Sequence, residues 1–198
     1  MFMLYSVLLG VALGLLLGGR IGRLADLHLA WLPLLIAAML VQTILFTETV
    51  WYAAGRLVPI IYVLSMVAVL GVILRNVRRL PTLLVVALGT ACNLAAILAN
   101  GGFMPVTAEA LGIAQPTQTL HGGNSVLTAD PALPFLVDRF ALPEWLPLAT
   151  IFSVGDVLIA AGLVLVVVVA MRAEPTEPPP TEPQPSGGSP STTLSRAA

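Results

Sequence analysis

Five separate stretches of this chain stay apolar for close to the roughly 20 residues that a helix needs to cross the hydrocarbon of a bilayer. They run over about 2–18, 29–46, 57–74, 82–99 and 148–171. In lipid, only an α-helix or a closed barrel satisfies its own backbone, and these runs lack the in–out alternation of barrel strands. The sequence therefore reads as an all-α, polytopic membrane protein. Residues 1–172 would form one domain of five transmembrane helices in the cell membrane. Composition agrees: 58% of the residues are hydrophobic and 10% charged, against about 25% charged in soluble domains.

The first run has no positive segment before it and ends in Gly18-Gly19-Arg20, not in a cleavage site. It reads as a retained helix and not as a signal peptide. Arginine placement then sets the orientation, because basic residues are held in the cytoplasm. Arg20, Arg23, Arg75, Arg78, Arg79, Arg172 and Arg196 follow the odd-numbered helices, whereas only Arg56 and Arg139 follow the even-numbered ones. The expectation is an N-terminus outside and a C-terminus inside. Glu48, Glu109, Asp130, Asp138 and Glu144 then fall outside, and Trp51, Tyr52 and Trp145 enter the outer aromatic belt.

Two segments stand apart from the helices. Residues 173–198 are rich in Pro, Glu, Ser and Thr with almost nothing apolar, which predicts a disordered cytoplasmic tail. Residues 100–147 are too long for a simple connection. They also carry Phe103, Met104, Val106, Leu120, Phe135, Leu136, Val137 and Phe140. This loop is expected to be ordered, folding back onto the bundle or dipping into the interface, with a turn around Pro131–Pro134. A net charge of −1 provides no field for nucleic acid, and the single Cys92 can form no internal disulfide.

Small residues recur every four positions along helix one: Ser6, Gly10, Gly14, Gly18 and Gly22. That spacing lines one side of a helix and admits close approach of another backbone. The partner is either the protein's own bundle or a second membrane helix, including that of a homodimer.

Polar residues inside the runs are the main functional signal. Asp156 lies in Phe152-Ser153-Val154-Gly155-Asp156 at the outer start of helix five, with Asn93 and Asn100 toward the outer end of helix four, Gln42 in helix two and Ser65 in helix three. All belong to the outer half of the bilayer under the orientation above. An ionisable group there costs at least about 2.5–3.5 kcal/mol to insert and faces the bundle interior. The expectation is an outer polar pocket in which Asp156 meets Asn93 or Asn100. Gly101-Gly102, beyond Asn100, and the loop residue His121 would lie near its opening. The same residues would serve equally as a polar clamp between helices.

Enzyme chemistry finds little purchase. Asp156 is the only carboxylate within a run, so a paired-aspartate site is not expected. Both histidines, His28 and His121, lie in loops; no set of zinc ligands, nucleotide-binding glycine loop or haem motif is visible. No metal and no cofactor are expected.

Taken together, the Gly19-Arg20 exit from helix one, the Asn93…Asn100-Gly101-Gly102-Phe103-Met104-Pro105-Val106 run and Ser153-x-Gly155-Asp156 resemble the bacterial domain-of-unknown-function 5317 membrane-protein family. The resemblance implies the topology and these residues, and no activity. Three functions stay open. The first is binding or transport-accessory work on a small molecule, lipid headgroup or ion; the second is structural assembly through the helix-one ridge. The third, with least support, is an enzyme acting on lipid-linked substrates.

Overall fold

Prolines at positions that need no backbone donor open two of the helices, Pro33 in α2 (Leu32–Leu45) and Pro59 in α4 (Val58–Asn76). The computed structural model describes residues 2–114, 125–142 and 150–173. Around those two helices lie α1 (Phe2–Leu16), a 3₁₀ turn at Ile21–Asp26, α3 (Glu48–Ala54), α5 (Leu83–Ala99), α6 (Ala108–Ala114) and α7 (Val154–Arg172). Four short strands accompany them: β1 (Met104–Val106), β2 (Ser125–Leu127), β3 (Phe140–Ala141) and β4 (Ile151–Phe152).

The long helices pack in the order α1–α7–α5–α4–α2. Chain order is therefore broken, because the last helix inserts between the first and the fourth of the apolar runs. Small residues make the insertion possible. A Cβ added to Gly10 would meet Val167 Cβ at 2.9 Å, and one on Gly14 would meet Met171 Sδ at 2.5 Å. On the opposite side of α7, a Cβ on Gly89 would strike the Gly155 carbonyl, and one on Gly162 would lie 2.8 Å from the Val86 nitrogen. The ridge of helix one thus meets α7 through Gly10 and Gly14; Ser6 is also buried, while Gly18 and Gly22 have open space around them.

Two asparagines fasten the connections by one device. Asn76, at the end of α4, accepts from Ala30 N at 2.8 Å and donates to Ala30 O at 3.0 Å and to Val72 O at 2.8 Å. Asn100, just past α5, accepts from Ala132 N at 2.8 Å and donates to Ala132 O at 2.9 Å and to Ala96 O at 2.8 Å. Each carboxamide pairs with a remote backbone like a strand partner while closing the last turn of its own helix. A carboxamide supplies both donor and acceptor, so buried or half-buried backbone is satisfied without extending a sheet.

Among the described residues two helical stretches are long and apolar enough to cross a membrane: the 29 residues Glu48–Asn76, in which a 3₁₀ turn at Gly55–Leu57 joins α3 to α4, and the 19-residue Val154–Arg172. Three further apolar helices, Met3–Leu16, Leu32–Leu45 and Leu83–Ala99, are shorter. The outward faces of the bundle are apolar, with Leu16 82%, Leu64 63% and Leu98 58% exposed. An apolar core at one end gathers Leu45, Val58, Tyr62, Met66, Ala96, Ile97 and Met104. Phe46 packs edge-on to Tyr62 there, at 4.9 Å between ring centroids.

Element bounds depart from the sequence reading in two places. The last helix begins at Val154 and not near 148, because Ile151–Phe152 pairs as β4 with β3 and Ser153 starts the helix. The stretch is as apolar as the helix it precedes, so hydropathy alone cannot separate them. The loop after α5 also carries small paired strands, a departure from a wholly α fold. Trp51 turns inward, 5.3 Å from Phe103 between ring centroids, while Tyr52 stays exposed. The tail from residue 174, His121, Glu144 and Trp145 lie outside the described residues.

The glycine contacts predict opposite outcomes for two helix glycines. Gly89→Ala should lower stability by about 1–3 kcal/mol through overpacking. Gly71→Ala, where nothing lies within 4 Å, should be neutral or stabilising by up to about 1 kcal/mol. Thermal unfolding of the two purified variants beside wild type measures both.

Candidate functional site

A glycine pair lets the chain leave α5. Gly101 and Gly102 hold φ of +73° and +89°, values that side chains rarely adopt. Gly102 donates to Ile97 O at 2.8 Å, and a Cβ on it would fall onto Pro59. The loop can therefore cross the first turn of α4 and enter β1, which is buried. One edge of β1 pairs in parallel with β2, Met104 with Ser125 and Val106 with Leu127. The other edge takes the Asp138 backbone: Asp138 N donates to Pro105 O at 2.9 Å, and Thr107 N donates to Asp138 O at 3.1 Å.

From Asp138 the chain runs straight into β3, antiparallel to β4, with Phe140 opposite Phe152 and their rings 5.6 Å apart. Extending that register sets Asp138 level with Val154, the first residue of α7. The loop thus lowers a carboxyl group onto the start of the last helix.

That start is a closed hydrogen-bond circuit. Ser153 caps α7: its Oγ accepts from Asp156 N at 3.1 Å, and its own N–H donates to Asp156 Oδ2 at 3.0 Å. This reciprocal pair satisfies two of the donors a helix start leaves free. The other carboxylate oxygen, Oδ1, accepts from Asn93 Nδ2 of α5 at 2.8 Å. Ser153 Oγ also lies 2.9 Å from Asn93 Oδ1 and 3.1 Å from Asp156 Oδ2. A hydroxyl has one proton to give. The shorter contact to Asn93 takes it, since Oδ2 already receives the Ser153 N–H. Ser153 is fully buried, and a side chain at Gly155 would collide with the Asn93 carboxamide. The Ser-x-Gly-Asp spacing is thereby explained: cap, clearance for Asn93, and carboxylate.

Asp138 contrasts with this saturation. It is 6% exposed. Among the described residues, its Oδ2 receives Ser125 Oγ at 3.3 Å, and its Oδ1 is buried with no hydrogen-bond partner. Burial pushes the carboxyl up from its ordinary 3.8 to about 7; the Asp156 charge pushes in the same direction, and the Ser125 hydroxyl pulls slightly back. A buried carboxylate without donors favours its neutral form. The neighbouring Arg139 lies over the Phe140 ring, 5.8 Å from its centroid.

The structure sorts the sequence candidates. Asp156, Asn93 and Ser153 come together. Asn100 does not join them: it pins Ala132, although seven residues bring it back near the face of Asn93, because its partner is loop backbone. Gly101 and Gly102 shape the loop exit. Gln42 sits on α2, which packs on α4, and its Nε2 is buried without a partner; Ser65 donates to Tyr62 O at 2.6 Å within its own helix. His121 lies outside the described residues. Asp138 was missed as a site residue, and the pairing of two carboxyls with it. Its signal was an acid set directly after the apolar Phe135-Leu136-Val137.

These positions fall within residues 26–168, which match the family of unknown function DUF5317. The chain belongs to the DUF5317 family. The match takes in α2 through most of α7, including Asn93, Asp138, Ser153 and Asp156, and begins after α1. No curated protein and no solved structure matches this DUF5317 chain.

If the circuit is one unit, its members must couple. Asn93→Ala and Asp156→Ala should each destabilise this DUF5317 protein, and the double variant should fall short of their sum by about 1–3 kcal/mol. A double-mutant cycle of unfolding free energies measures the difference.

Proposed function

We propose that the chain is a five-helix integral membrane protein, N-terminus outside and C-terminus inside, that binds a cationic group at its outer face between Asp138 and Asp156. Its role is that of a binding or transport-accessory protein of the cell membrane. Five apolar helices, outward-facing leucines and arginines gathered after α1, α4 and α7 support the topology. The shorter helices would need local thinning or flanking turns to complete a crossing: the 14 residues of α2 rise about 21 Å.

One observation carries the binding reading: among the described residues Asp138 Oδ1 is buried without a donor, beside a second carboxyl that raises its affinity for protons. Such a site takes positive charge, as a proton, a metal cation or an ammonium group. Lipid headgroups and free amines share that last chemistry. The alternative of assembly through the helix-one ridge has less support, because Gly10 and Gly14 already meet Val167 and Met171. An enzyme has less still, since the one hydroxyl in the circuit, Ser153, is fully buried and gives its proton to Asn93 and not to a base.

The sign of the pH dependence follows from the raised value. The folded carboxyl titrates near 7 and the unfolded one near 3.8, so folding takes up a proton between those values. The stabilisation is complete below 3.8 and is lost as pH rises through about 7. The melting temperature of wild type should therefore fall between pH 5 and pH 8 by several degrees more than that of Asp138→Asn. At pH 8, where the carboxylate is ionised, a cation should restore it. Sodium chloride, ethanolamine and phosphatidylethanolamine-containing micelles are the probes, at fixed ionic strength. At least one should raise the wild-type melting temperature by about 4 °C or more and leave Asp138→Asn unmoved; ethanolamine against the lipid distinguishes free amine from headgroup. Equal responses of wild type and variant to every probe would remove the binding reading.

A further inference from the structure

The turn that Asn100 holds in place ends in side chains directed away from the protein. Phe135 is 74% exposed and Leu133 46%. Leu133 also adopts φ +54°, a left-handed conformation that is unfavourable for a residue with a Cβ. Such a conformation persists only where its surroundings enforce it. Here the enforcement is visible: the Asn100 carboxamide grips both backbone groups of the adjacent Ala132. An exposed phenylalanine presented on a strained, anchored turn is a built feature.

Its position says what it meets. Asn100 follows the last residue of α5, so the turn sits level with that helix end. α4 begins at the same level, since a Cβ on Gly102 would press on Pro59. Around this rim apolar and aromatic side chains point outward beside the exposed Arg56 and Asp130: Leu98 two residues before Asn100, Leu57 and Ile60 at the start of α4, and Tyr52, all more than half exposed. Exposed apolar side chains on α4 and α5 thus reach the same level as Leu133 and Phe135. Aromatic side chains at such a rim prefer the boundary between headgroups and acyl chains.

We infer that the Leu133–Phe135 turn is a lipid anchor, with the Phe135 ring inserted into the outer-leaflet interface beside the end of α5. This rests on the membrane-spanning reading above and adds to it a specific contact for the outer loop. The anchor would hold the segment that carries Asp138, three residues further on, against the bilayer surface.

Site-directed spin labelling tests it in the full chain reconstituted into phosphatidylcholine vesicles. In a Cys92→Ala background, nitroxides are placed by Phe135→Cys and, separately, by Leu98→Cys as the helix reference. Oxygen concentrates in lipid and a nickel chelate in water, so the ratio of the two relaxation effects reports depth. The inference expects the ratio above one at both sites. A ratio below one at residue 135 with lipid-like values at residue 98 overturns the anchor and leaves the membrane reading intact. Water-like values at both sites overturn both. A label at 135 shielded from both reagents overturns the anchor too, because protein and not lipid then covers the turn. Phe135→Ser gives a second readout: it should raise nickel accessibility of a label introduced by Arg139→Cys, whereas an unchanged value counts against the anchor.

Discussion

The first turn of α7 rests on a carboxylate whose two oxygens are both committed. Asp156 takes one hydrogen bond from Asn93 of α5 and another from the backbone of Ser153, which in turn caps the helix. Each such bond contributes only about 1 kcal/mol net, but a buried partner left bare costs about 1–3 kcal/mol. The circuit joins three things that would otherwise be independent. It fixes where α7 begins, it sets the register between α5 and α7, and it ties β4 and hence the loop after α5 to the bundle. The glycines at 89, 155 and 162 follow from it, because two backbones brought this close leave no room for a Cβ.

A saturated carboxylate is a poor place to look for a ligand. Asp156, taken alone, is the member of the cluster best suited to holding helices together. The proposed binding group is Asp138, whose backbone is locked to β1 on one side and led into β3 on the other. That pairing fixes the backbone, the side chain is buried, and one of its oxygens finds no donor among the described residues. On the proposed reading, clamp and binding group are divided between two aspartates, and the first gives the second a charged neighbour.

Much of this was readable from residues, and what was not has identifiable causes. The apolar runs located α1, α2, α4, α5 and α7 because hydropathy is a local property. Ser153, Asn93 and Asp156 were found because polar side chains in such runs are few. Asn100 was placed with them on helix spacing alone; its true partner is the backbone of Ala132, and a backbone group leaves no trace in sequence. The same holds for Asn76 and Ala30. The start of α7 was set too early since Ile151-Phe152 is as apolar as a helix turn. Asp138 escaped because only the pairing of two-residue strands brings it to the helix, and registers so short carry no periodic pattern.

The central claim is that Asp138 holds an exchangeable proton next to a committed Asp156. Infrared titration of the carboxylic acid band in the reconstituted protein tests it directly. The account predicts a buried acid band that titrates near pH 7, is absent from Asp138→Asn, and titrates at lower pH in Asp156→Asn, where the neighbouring charge has gone. A band that survives Asp138→Asn unchanged would contradict it.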